Sequence, residues 1–199
     1  MELTHNRTVT LLGVLLVLAA ISQPIYTALY IGAPDVERHF LWGVEGLLFV
    51  VMAALAGSAL VTAKRFTLGF SAIAFSTVLN VVQVGVGLTQ FRPFGAAAAA
   101  NGDLSGLAVS VVAFSFFGYN AAKILLALAA IVFGLGKMGQ GGRFMGGVTV
   151  LVGAVAFVAN ACVLMFGREG FMPSAVAGGS GVVATALLAL CLFTVDSEK

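Results

Sequence analysis

Six apolar runs set what this chain can fold into. They are Val9–Ile31, Leu41–Ala63, Thr67–Gln90, Leu107–Leu135, Gly146–Phe166 and Ser174–Val195. Each is roughly 20 residues or longer, the length a helix needs to cross about 30 Å of hydrocarbon. Inside lipid every backbone N–H and C=O must be satisfied within the structure, which leaves helices or closed barrels. Barrel strands would alternate polar and apolar residues over about ten positions, and no such alternation is present. The sequence therefore predicts an all-α integral membrane bundle of six transmembrane helices, residues 1–199 forming one domain. Composition agrees: 60% of the residues are hydrophobic and 9% charged, outside the range of soluble globular domains.

The first run follows Met1–Arg7 and continues to Ile31, longer than the apolar core of a secretory signal. A retained first helix is expected. Basic residues flanking the runs give an orientation: Arg7, Lys64, Arg65, Lys137, Arg143 and Lys199 on one side, Arg38, Arg92 and Arg168 on the other. The positive-inside rule then places both termini in the cytoplasm. Asp35, Glu37, Asp103 and Glu169 fall on the opposite side, although acids count for little in that rule. Richness in alanine, glycine and valine suggests a bacterial plasma membrane.

Short links at Lys64–Phe66 and Gly136–Phe144 should make antiparallel neighbours of spans two and three, and of spans four and five. The longest connection is expected at Phe91–Gly106, where Arg92-Pro93-Phe94-Gly95 precedes an alanine run and Asn101-Gly102-Asp103. It reads as an external connector, or as a lid or short interfacial helix over the outer mouth. Small residues at Gly178, Gly181 and Thr185, and at Gly153, Ala156 and Asn160, mark faces for close helix packing.

Several chemistries are disfavoured. The net charge of +2 is too small to suggest nucleic acid as a partner. His5 and His39 fall at opposite sides of the membrane, which argues against a metal cluster or a bis-histidine haem, and no cofactor is predicted. Cys162 and Cys191 lie at different depths, too far apart for a disulfide. Gly134–Gly139 matches the dinucleotide pattern but follows a membrane span where a strand is required.

The polar residues inside the spans carry the functional signal. Lys123 is the one charged residue between Asp103 and Lys137, and an ionisable group at that depth is costly and normally functional. Asn120 shares its helical face, and Tyr119 precedes it by one turn. Ser76, Asn80, Gln83, Gly87 and Gln90 form a polar stripe on the third span at spacings of four and three. Gln23 beside Pro24, Glu45 and Asn160 add one polar group each from three other spans.

Glu45 is the natural counter-ion for Lys123, yet it sits one turn from the interfacial Trp42. Both side chains lean the same way along parallel spans, so their depth offset persists. In place of a direct ion pair, either a bridge through water or Asn80 or a Glu45 that snorkels to the outer interface is expected. Together these residues predict a site for a small anionic or amphipathic ligand. Lys123 would supply charge and Asn80, Gln83 and Asn120 orientation, with Gln23, Glu45, Asn160 and Tyr119 around them. The alternative is a non-enzymatic accessory or assembly subunit, with a protein partner or a second copy of the chain as well as lipid. An intramembrane enzyme ranks third, because Glu45 and Lys123 are the two charged candidates for acid and base in the spans and lie too far apart without relays.

Overall fold

The computed structural model describes residues 3–33, 36–167 and 170–196. Asp35, Arg168, Glu169 and Lys199, which entered the charge pattern, lie outside the described residues. Among the described residues there are six long helices and no strand: α1 His5–Gly32, α2 His39–Thr62, α3 Thr67–Ala100, α4 Ser105–Gly139, α5 Arg143–Phe166 and α6 Ser174–Leu192. All six are long and apolar enough to cross a membrane. The chain is an all-α bundle with the composition and element lengths of a multi-pass membrane protein.

The expected connector at Phe91–Gly106 is corrected. α3 continues through Pro93 to Ala100, and the link to α4 is Asn101–Leu104, a short 3₁₀ turn in which the Asn101 side chain accepts from the Asp103 N–H at 3.1 Å. Five consecutive alanines, the strongest helix formers, carry the helix past the proline. Pro93 removes one backbone donor, a defect a long helix absorbs as a bend. At about 1.5 Å per residue α3 and α4 are each roughly 50 Å long. Their paired ends therefore extend well past the other helices.

Consecutive helices are neighbours, and α1 meets α6 to close the ring. Because α4 also touches α6, α5 lies outside that pair. The short links act as expected, with α2–α3 and α4–α5 antiparallel. The end bearing His5 is sealed by apolar packing: Leu12, Leu16, Met52, Phe70, Ile73, Phe133 and Leu188 are fully buried. His5 Nδ1 is 2.8 Å from the Thr62 hydroxyl, which staples the start of α1 to the end of α2. At the same end the last described residues return to the α4–α5 link. Gln140 and Asp196 exchange two hydrogen bonds of 2.9 Å, and Lys137 Nζ donates to the Thr194 carbonyl at 3.2 Å.

Cys191 is buried beside Thr149, 3.5 Å from its hydroxyl, while Cys162 is free and half-buried. They form no disulfide, as their depths require. The α4–α5 crossing is close because glycines face it. A Cβ on Gly146 would lie 2.5 Å from the Gly134 carbonyl oxygen, and one on Gly153 3.1 Å from the Ala127 oxygen. Neighbouring Gly147 faces open space.

This pair gives a controlled prediction. Gly146→Leu should lower stability by about 1–3 kcal/mol through forced backbone separation, whereas Gly147→Leu should stay within about 0.5 kcal/mol of the parent. Thermal unfolding of the detergent-solubilised variants measures both, and equal transition temperatures would refute the tight crossing.

Candidate functional site

Lys123 sits midway along α4 with 1% of its surface exposed. Its aliphatic stem lies against α6, where a Cβ on Gly181 would stand 2.9 Å from Lys123 Cδ. The Nζ is 5.4 Å from the centroid of the Tyr119 ring one turn earlier. The Tyr119 hydroxyl lies in ordinary contact range of Gly178, 3.7 Å from where a Cβ would be. Gly181 thus does more than allow helices to approach; it makes room for the lysine stem.

The ammonium crosses the bundle. Lys123 Nζ donates to Gln23 Oε1 on α1 at 2.6 Å, although the backbones of α1 and α4 do not meet. Lysine has only donors, so the amide oxygen must face it and the amide nitrogen faces away. On that other side is Glu45 of α2, also buried. The Ser22 hydroxyl donates to Glu45 Oε1 at 3.2 Å, and the Gln23 side chain lies beside the same carboxyl.

Gln23 stands between Glu45 and Lys123, bonded to the ammonium and beside the carboxyl. α1 runs opposite to α2 and α4, and helical side chains tilt toward their own amino terminus. Gln23 therefore leans toward Lys123 while Lys123 leans toward Gln23. The expected bridge through Asn80 is corrected accordingly, since Asn80 bonds elsewhere.

Local sequence explains why α1 can do this. Pro24 has no N–H, so the carbonyl four residues before it, at Ala20, loses its helical partner. Ser22 completes the polar segment, with its hydroxyl 3.0 Å from the Ala19 carbonyl and 3.2 Å from Glu45. A hydroxyl has one proton, so it serves these acceptors one at a time.

Toward the far end of the bundle the cluster is roofed by aromatic side chains. Tyr26 stacks on Trp42 with centroids 5.2 Å apart, and Phe91 meets Trp42 edge-on at 5.4 Å. The Arg38 guanidinium lies over Tyr26 at 5.8 Å. Gly87, the fourth member of the α3 stripe, admits the Trp42 ring, which would collide with any Cβ there.

The structure brings Lys123, Gln23, Glu45 and Tyr119 together, and engages the other candidates elsewhere, Gln83 and Asn160 across helix seams and Asn80 and Asn120 within their own helices. Asn80 Nδ2 donates to the Ser76 carbonyl at 3.0 Å, and Ser76 Oγ to the Ala122 carbonyl of α4 at 2.9 Å. Gln83 Nε2 donates to Ser115 Oγ at 3.3 Å. Asn120 Nδ2 returns to the Phe116 carbonyl at 2.7 Å. Asn160 Nδ2 bonds the Ala156 and Ala177 carbonyls, and its buried Oδ1 has no partner among the described residues. Ser22 and the α6 glycines join the site without having been singled out as members. Their signals were the adjacent Gln23–Pro24 pair and small residues at helical spacing opposite bulky ones.

Two shallow apolar grooves lie on the outside of the bundle. One of about 360 Å³ is lined by Val155, Val158, Met172 and Val176 among others, and one of about 330 Å³ by Phe91, Gly95, Ala108, Val109 and Val112. Neither involves the Lys123 cluster. Among the described residues no group of three His, Cys, Asp or Glu side chains could hold a metal ion. Comparison with family models, with curated proteins and with solved structures gave no match.

Removing the amide should expose its importance. Gln23→Leu leaves a buried ammonium without its oxygen and should cost about 2–3 kcal/mol, against about 1 kcal/mol for Gln83→Leu, which breaks a neutral contact. Denaturant titration of both variants in detergent tests the order, and a reversed ranking would show that Gln23 does not hold Lys123.

Proposed function

We propose that this chain binds or transports a small anionic or amphipathic ligand within the bundle, using the cluster around Lys123. The observation that carries the reading is a fully buried ammonium whose hydrogen-bond partner is a neutral amide. Burying a charge costs several kcal/mol, and a site serving packing alone is generally met as well by apolar residues of similar volume. A cation matched to an exchangeable oxygen is instead suited to a ligand that brings its own oxygen. Closure on both sides supports the same reading: the Tyr26–Trp42–Phe91 roof lies toward one end and the Leu12–Met52–Phe70–Phe133 packing seals the other. A polar site between two closures is the arrangement expected of an occluded state in alternating access.

In this reading the basic side bearing Lys64, Arg65 and Lys137 faces the cytoplasm of a bacterial cell. Lys123 binds the ligand, and Gln23 yields its place. Gln83 on Ser115 and Ser76 on the Ala122 carbonyl hold α3 and α4 in register behind it. One observation favours the second reading, an accessory or assembly subunit. The ends of α3 and α4 project about 20 Å beyond Gly87 with exposed Leu104, Leu107 and Val109, an apolar hairpin that a partner protein would cover.

The test compares purified wild-type protein with Lys123→Met in lipid nanodiscs. Small molecules released on denaturation are identified by mass spectrometry, and co-purifying proteins are identified in mild detergent. A compound present at near one per chain in the wild type and at least about tenfold depleted in Lys123→Met supports the ligand site. Identical extracts together with a stoichiometric protein partner would overturn it in favour of the accessory role.

A further inference from the structure

Resting on the ligand reading above, we propose that the ligand is a compact zwitterion, one carboxylate and one ammonium or quaternary ammonium separated by a single carbon. The site has two poles. Lys123 presents a donor-only cation, and Glu45, with Ser22 at 3.2 Å, presents an acceptor carboxyl. A simple anion would pair with Lys123 while facing Glu45, and a simple cation would meet the reverse conflict. A ligand carrying both charges satisfies both poles and adds no net charge to the interior.

Gln23 indicates the size and polarity of what belongs there. Its primary amide lies between the poles, with the carbonyl oxygen on Lys123 at 2.6 Å and the nitrogen on the side of Glu45. It is an internal surrogate for the ligand: an acceptor end and a donor end joined through one carbon atom. An α-amino acid carries an acceptor end and a donor end in that order with one further carbon between them, and a betaine keeps the same order of charges without the donor, whereas a long ω-amino acid sets the ends too far apart. The surrogate is carried by the α1 segment that Pro24 interrupts, the place where this helix can bend. Beside the acidic pole, one turn along α2, stand Trp42 and its stacked partner Tyr26. Aromatic faces attract ammonium groups, so this wall suits the cationic end of the ligand.

The experiment uses wild-type protein in nanodiscs and five probes: alanine, glycine betaine, propionate, tetramethylammonium and ε-aminocaproate. Binding is read by calorimetry and by the shift in unfolding temperature. The expected result is that alanine or glycine betaine binds at least about tenfold more tightly than the other three, the loss of one charged contact. Glu45→Gln should erase that preference, lowering affinity for the zwitterion while raising that for propionate, which no longer faces a like charge. Gln23→Gly, which removes the surrogate and keeps both poles, should tighten zwitterion binding several-fold, so the assignment does not depend on a variant that loses a charge.

Propionate binding as tightly as alanine, unaffected by Glu45→Gln, would overturn the zwitterion and leave the ligand site standing. If no probe binds and the Lys123→Met extract matches the wild type, the ligand site itself falls. If no probe binds but the extracts differ, the released compound decides, and one without both charges overturns the zwitterion.

Discussion

A single hydrogen bond, from Lys123 Nζ to Gln23 Oε1, accounts for much of how this bundle is arranged. An ammonium in hydrocarbon needs an oxygen within reach, and among the described residues Lys123 finds that of Gln23. The chain supplies a neutral oxygen from an antiparallel helix, the geometry that lets two side chains lean toward each other. Gly181 clears the path of the lysine stem, Tyr119 offers its ring face, and Ser22 and Glu45 complete the far side of the amide. Substitutions at distant points of the sequence are therefore coupled through one contact.

The two halves of the bundle follow different physics. Toward His5 the ring is filled by large apolar side chains at full burial, close packing that leaves little to rearrange. Toward Trp42 the same ring holds amides, a carboxyl and an ammonium under stacked aromatics. α5, outside the α4–α6 pair, takes no direct part in the charged cluster. Its contribution is the glycine-lined seam that fixes α4, the helix bearing the lysine.

Much of this was legible from residues alone. Lipid leaves the backbone few options, so apolar run length gave all six helices, and link length gave the α2–α3 and α4–α5 neighbours. Lys123 stood out because charge in a span is rare. The overhang of α3 was missed because Pro93 and Gly95 read as breakers, while five alanines on a helix already supported by α4 outweighed them. The asparagines misled for another reason. Periodicity tells which face a residue occupies but not whether it bonds to its own backbone, and Asn80, Asn120 and Asn160 each fold back on the carbonyl four residues earlier. Gln23 escaped as a bridge because its partner is 100 residues away and on a helix that its own does not touch.

The return of the carboxyl-terminal segment has a mechanical consequence. Gln140 gripping Asp196, with Lys137 on Thr194, fastens the foot of α4 to the foot of α6, while His5 and Thr62 fasten α1 to α2. Two helix pairs are thereby fastened at one end, α4 with α6 beside the ammonium and α1 with α2 carrying the amide and the acid. Packing of α1 on α6 and of α2 on α3 joins the pairs, and the lysine–glutamine bond adds a direct link between α1 and α4, whose backbones do not meet.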